Sequence, residues 1–183
     1  MIEVICGPMY SGKTEELIRR IKRVKIAGLK YVVIKPNITS RYDKEVDGIV
    51  THSQDSFIDA ETINSSTELL KYIHYDVIAI DEVQFFDNDL YIIIQMLSDY
   101  GKRIIVSGLD MKFNRHPFTL MSNILSISHK IDKLSSICAE CKENAVYSYR
   151  ISDSEEEVII GEKELYIPLC SKCFQKYSNE RNS

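Results

Sequence analysis

The sequence has no excess of positive charge. Its 23 lysines and arginines face 27 aspartates and glutamates, a net charge of −4. A general nucleic-acid binder draws most of its affinity from neutralising phosphates and carries a basic excess. That class is disfavoured here, although a local basic patch stays open. No apolar run approaches the roughly 20 residues of a membrane-spanning helix, and Met1-Ile2-Glu3 is not the basic start of a secretory signal. No membrane partner is therefore expected, and the chain reads as cytoplasmic, where thiols stay reduced. Glycine and proline are scarce, at 7 and 4 residues, and no internal repeat or low-complexity tract occurs. Together with a 44% hydrophobic content, this excludes collagen-like and disordered chains. The length of 183 residues fits one domain, or one domain plus a small module.

Short apolar runs recur in alternation with helical patterns. Residues 2–6, 30–35, 76–80 and 103–107 read as buried strands. Between them, residues 14–27 carry Leu17, Ile21 and Val24 at helical spacing, with Glu15 and Glu16 in the first turn and Gly28 as a stop. Ser65 and Glu68 match a capping box for a short helix to about residue 73, and 88–100 read as another helix. The fold class that follows is α/β, a parallel sheet flanked by helices, with ligands expected at the carboxyl ends of the strands. The alternation stops near residue 131. A boundary is expected between residues 130 and 134, dividing a nucleotide-binding part (1–131) from a smaller C-terminal module (132–183), without a Gly/Ser linker.

Gly7-Pro8-Met9-Tyr10-Ser11-Gly12-Lys13-Thr14 satisfies the GxxxxGK[ST] pattern, with a strand before it and a helix after it. Glycines let the backbone curl so that successive N–H groups converge on phosphate oxygens. Lys13 would reach the β- and γ-phosphates, and the Thr14 hydroxyl would ligate Mg²⁺. Residues 77–80 end in Asp81-Glu82, an apolar strand closing on a carboxylate that supports the same magnesium ion. Glu82 cannot do the same job from the next position, and it is placed to serve as a general base. Phe85 and Phe86, just beyond, read as core packing.

Five cysteines are present, and four form two CxxC pairs: Cys138/Cys141 and Cys170/Cys173. Two such knuckles build a tetrahedral four-thiolate site that suits a structural Zn²⁺ ion. Cys6 is expected to be a buried core thiol. The stretch between the pairs is acidic (Glu155, Glu156, Glu157), which fits a zinc-held loop over residues 152–166 better than a nucleic-acid surface. Such a loop closing over a substrate excludes water. His52, His74, His116 and His129 show no metal spacing. Arg41 could touch a nucleotide phosphate, or simply be a surface arginine. Phe113 and Phe118 could hold a base, or pack in the core.

Taken in order, GPMYSGKT at 7–14, DEVQFF at 81–86, Leu109-Asp110 with Phe113 and Pro117-Phe118, and the two CxxC pairs around an IIG-containing loop resemble the type II thymidine kinases of the bacterial kind. The resemblance covers nearly the whole chain. It implies transfer of the ATP γ-phosphoryl group to the 5′-hydroxyl of thymidine, with Glu82 as the base. It adds Thr39, Ser40 and Arg41, and Asp81, Glu82, Val83 and Gln84, to the nucleotide contacts of the phosphate loop. It makes the zinc-held loop a lasso over the thymine base, with Glu157, Val158, Ile159, Ile160 and Gly161 as its contact segment and Tyr166 as a substrate tyrosine. Phe113 matches the family's base-contacting phenylalanine, and Met9, Leu109 and Phe118 match positions lining the base pocket. One position departs: Glu162 stands where many members carry a second glycine. The family also implies a homotetramer inhibited by dTTP. Two rival readings remain: a phosphate-loop ATPase in which Glu82 activates water, and a zinc-ribbon nucleic-acid module.

Overall fold

The computed structural model describes residues 1–37, 49–50, 57–152 and 165–181. The chain opens with β1 (Ile2–Cys6), α1 (Lys13–Ile26) and β2 (Tyr31–Pro36), followed by a short antiparallel pair, β3 (Ile49–Val50) and β4 (Phe57–Ile58). Next come β5 (Glu61–Ile63), β6 (Val77–Ile80), α2 (Leu90–Asp99), β7 (Arg103–Gly108), α3 (Thr119–Ile127) and β8 (Lys130–Lys133). Six of these strands form one parallel sheet in the order β5-β2-β6-β7-β1-β8. β7 separates the phosphate-loop strand from the Asp81 strand, so the two sites face each other across one intervening strand.

The four central strands are mostly apolar because both of their faces are covered. Ile2, Val4, Cys6, Val32, Ile34, Ile78, Ile80, Ile104 and Val106 pack on α2 and α3 through Leu90, Ile94, Leu97, Met121 and Ile124. Ile5, Val33, Val77, Ala79 and Ile105 point the other way, onto Leu17, Ile18, Ile21 and Val24 of α1. Cys6 sits in the first cluster, and burial pushes its thiol up to about 11, as expected of an inert core cysteine.

Two charged residues, Arg20 and Glu3, stand inside the α1 face. Arg20 is 4% exposed and donates to Glu3 at 2.8 Å, to Glu16 at 2.8 Å and to Asp132 at 2.5 Å. Glu3, equally buried, also accepts from Arg103 at 2.7 Å. This network ties α1 to β1, β7 and β8. Removing one partner of a buried ion pair strands the other charge. Arg20→Met keeps most of the aliphatic packing, and is expected to cost about 3–5 kcal/mol in urea-monitored unfolding. A loss under about 1 kcal/mol would show that Arg103 alone satisfies Glu3.

The short helix expected near residue 65 is a 3₁₀ segment, Ser66–Tyr72. Ser65 Oγ accepts from Thr67 N–H at 3.3 Å, while Glu68 reaches back to accept from Asn64 N–H at 2.9 Å. Asp87 accepts from both the backbone and the hydroxyl of Ser66, which anchors the segment beneath α2.

Beyond β8 the chain builds two small antiparallel pairs. These are β9 (Ser136–Ile137) with β10 (Asn144–Ala145), and β11 (Tyr147–Arg150) with β12 (Tyr166–Leu169), followed by α4 (Ser171–Arg181). They share a separate core of Cys138, Ala145, Tyr149, Leu169, Cys173 and Phe174.

Candidate active site

β1 ends at Cys6 and the chain turns at Gly7, whose φ of +144° lies where side chains are strained. A methyl group there would also collide with the Leu134 carbonyl, so residue 7 can only be glycine. Tyr10 (φ 62°) and Gly12 (φ 80°) complete the curl, and Gly12 caps the N-terminus of α1. That terminus, with its positive end of the helix dipole, is where a phosphate is favoured. Ser11 Oγ and Lys13 Nζ both donate to the Pro8 carbonyl, at 2.8 and 2.6 Å. Burial lowers the Lys13 pKa, opposed by the charges of Glu82, Asp81 and Asp110.

The carboxylate pair meets this loop directly. Thr14 Oγ1 donates to Asp81 Oδ2 at 3.3 Å. Asp81 is 4% exposed, and burial together with the neighbouring Glu82 pushes its carboxyl up to about 6. A hydroxyl and a buried carboxylate form an oxygen donor set of the kind Mg²⁺ takes. Glu82 leaves the strand in the left-handed region (φ 51°, ψ 41°), a strained conformation for a non-glycine residue. The turn brings its half-buried side chain onto Gln84, whose Nε2 donates to Glu82 Oε2 at 2.5 Å. Val83 is wholly buried in the core. Phe86 packs against the same core, and Phe85 is half-buried.

The base-side candidates lie on the segment after β7. Leu109 packs at the core margin. Phe118 is buried at the start of α3, with Lys112 Nζ 5.7 Å from its ring centroid. Phe113 is half-buried on a tight turn closed by Lys112 N–H to the His116 carbonyl at 2.8 Å.

Phe113 and Tyr166 are brought together by a residue the sequence reading did not single out. Arg150 is 1% exposed, lies 3.7 Å from the Phe113 ring centroid, and donates to Tyr166 Oη at 2.6 and 3.1 Å. A planar guanidinium can stack and hydrogen-bond at once. In the sequence Arg150 is one more charge ending a Tyr-Ser-Tyr run, with nothing to separate it from a surface arginine.

Two serines were missed as well. Met9 N–H donates to Ser148 Oγ at 2.9 Å, and Ser136 Oγ donates to the Tyr10 carbonyl at 3.0 Å. Both belong to the C-terminal strands, so that module grips the phosphate loop itself. Thr39, Ser40, Arg41, Glu157, Val158, Ile159, Ile160 and Gly161 lie outside the described residues.

The four paired cysteines converge, and their sulfur atoms all lie within 4.8 Å of one another. Cys141 and Cys170 are 3.6 Å apart, close to the ~3.8 Å that a tetrahedral Zn–S distance of about 2.3 Å requires. Backbone N–H groups outweigh burial at Cys138 and bring its thiol down to about 6, and Cys170 is lowered too, whereas burial and the neighbouring sulfurs push Cys173 up to about 12 and Cys141 is raised, so the four thiols share their ionisation as one cluster. A thiolate is the form that binds metal. The donor set therefore fits zinc, and among the described residues it contains no side chain other than cysteine.

The model of the family described as thymidine kinase matches residues 1–174. A thymidine kinase of Porphyromonas gingivalis is 44% identical over 178 residues, 97% of this chain and 86% of that protein. One of Bacteroides thetaiotaomicron is 40% identical, covering 98% of this chain and 89% of its own length. A third, from a Rhodothermus species, is 41% identical over 95% of this chain and 81% of that protein. With the phosphate loop, the carboxylate pair and the cysteine cluster all present in order, the chain belongs to the thymidine kinase family.

Proposed function

We propose that this member of the thymidine kinase family transfers the γ-phosphoryl group of ATP to the 5′-hydroxyl of thymidine, with Glu82 as general base. Phosphoryl transfer is chiefly positioning and charge stabilisation. The N–H groups of residues 7–14 and the Lys13 ammonium cradle the phosphates. Thr14 and Asp81 would hold Mg²⁺, which when bound draws charge from the β- and γ-oxygens. Glu82 lines up the acceptor hydroxyl and takes its proton. Thr39, Ser40, Arg41 and Val83 extend the ATP contacts. Met9, Leu109, Phe113, Phe118, Tyr166 and the 157–161 segment form the thymidine side. Cys138, Cys141, Cys170 and Cys173 would hold Zn²⁺, which fastens the base of the loop over residues 152–166.

The observation that carries the reading is the contact of Thr14 with Asp81 at the mouth of the sheet, with Glu82 turned out beside it. The family supplies the rest of the proposal: a homotetramer, inhibition by dTTP and work in the cytoplasm. Among the described residues no helix is long and apolar enough to cross a membrane.

A phosphate-transfer assay with ATP, Mg²⁺ and a panel of nucleosides tests the reaction. Transfer to thymidine and deoxyuridine, with little hydrolysis when nucleoside is withheld, is the expected result. Nucleoside-independent hydrolysis at the same rate would point instead to an ATPase.

A further inference from the structure

We infer that Gln84 is the positioning residue of the base, and that its part in the reaction is to aim Glu82 rather than to contact nucleotide. The side chain is 8% exposed and both ends of its amide are engaged. Oε1 accepts from Leu109 N–H at 2.9 Å, and Nε2 donates to Glu82 Oε2 at 2.5 Å. The first bond fixes the second. A backbone N–H can only donate, so the amide oxygen must face Leu109 and the NH₂ group must face the carboxylate. Flipping the amide would set two donors against each other at Leu109 and two acceptors at Glu82.

The sheet makes room for this arrangement. Gly108 ends β7 directly beside the amide, and a methyl there would collide with Gln84 Oε1 and press Met121 Cε and Val83 Cγ1 at 3.0 Å. Its φ is not positive, so space alone demands glycine at this position.

The consequence for catalysis follows from how many partners a carboxylate can serve. Glu82 sits in a left-handed turn within the field of Lys13. Left to itself it would be drawn toward that ammonium, which the phosphates need. An amide hydrogen bond to Oε2 holds the carboxylate back and leaves Oε1 for the acceptor hydroxyl. Misplacing a catalytic group by about 1 Å can cost roughly 100-fold.

This inference rests on Glu82 being the base, and the test separates the two. Gln84→Glu is nearly isosteric and still accepts from Leu109 N–H, so the fold is kept, but it sets a second carboxyl against Glu82; two carboxyls this close share a proton, so Glu82 loses the free carboxylate that a base needs. In the full-length, zinc-loaded protein it is expected to lower kcat roughly 10- to 100-fold, with KM for ATP and for thymidine each within about 2-fold of the parent. Gly108→Ala, which pushes the amide aside from the opposite direction, is expected to show the same split. Glu82→Gln is measured alongside. If it is inactive while Gln84→Glu keeps full kcat, the positioning role falls and the base stands. If Glu82→Gln is fully active, the base itself falls. A rise in KM for ATP with kcat unchanged in Gln84→Glu would make Gln84 a nucleotide contact and overturn the inference.

Discussion

Glu82→Gln is expected to lower kcat for thymidine phosphorylation by roughly 10²- to 10⁴-fold, the usual contribution of a positioned general base, while ATP still binds. The substitution is nearly isosteric. The new side-chain oxygen can still accept from Gln84 Nε2, so the local hydrogen-bond pattern survives. What is lost is the capacity to take a proton from the acceptor hydroxyl. In the proposed reaction ATP affinity would rest on other groups: the curled N–H groups of the phosphate loop, Lys13, and the Thr14–Asp81 pair. Lys13 loses one of the three carboxylates whose charge opposes its desolvation, but Asp81 and Asp110 remain. Turnover measured as thymidine monophosphate formed, together with ATP affinity measured by direct titration, checks both halves. A variant that retained more than about a tenth of the parent kcat would fall below the base's expected share, and would move the proton to solvent or to the phosphate itself.

The parts of this site that were legible in the sequence are those whose chemistry is local. The phosphate loop is a contiguous pattern, because consecutive N–H groups must surround one phosphate. The central strands announced themselves because both of their faces are buried. The cysteine pairs did so because a two-residue spacer is what places two thiolates on one knuckle. Elements held by the rest of the sheet were not legible. β8 reads Lys-Ile-Asp-Lys and is largely exposed; it is a strand because its backbone completes the free edge of β1, and the side chains carry no sign of that. β5 is likewise a short edge partner of β2, with two exposed residues of three. α3 lies in a stretch without a helix-start signal, and Phe118, its N-terminal neighbour, makes no side-chain cap. The turn of Glu82 into the left-handed region cannot be read from a glutamate. Arg150, Ser136 and Ser148 act across more than a hundred residues, or through aromatic partners far along the chain, and single residues of those types carry no periodicity. The bonds of Ser148 to Met9 and Ser136 to Tyr10 changed the picture most. Spacing alone made the zinc module the base of a substrate loop, whereas the structure attaches it to the phosphate loop as well.

That attachment sets the expected result of metal removal. Stripping zinc with a strong chelator, or replacing Cys141 with serine, is expected to raise KM for ATP as well as for thymidine. Among the described residues the module's own core holds six buried side chains, and two of those are cysteines of the cluster. A core that small does not sustain a fold unaided, whereas structural zinc contributes apparent binding free energies of about 10–16 kcal/mol in small domains. The aromatic contacts of Tyr147 and Tyr149 with Phe174, at 5.2 and 5.3 Å between ring centroids, join β11 to the helix that carries Cys173. Loosening the cluster therefore loosens β11. β11 carries Ser148, which holds Met9 of the phosphate loop, and Arg150, which stacks on Phe113 and holds Tyr166. Metal content should fall from one zinc per chain to none, and amide exchange should accelerate across 136–150 and at Met9, while the sheet strands β6 and β7 stay protected. Restoring zinc to the chelated parent should return both KM values. Full zinc content in the Cys141→Ser protein would refute the four-thiolate site. A zinc-free protein with a raised KM for thymidine alone would leave the site standing, but would deny that the module reaches the ATP side through Ser148 and Ser136.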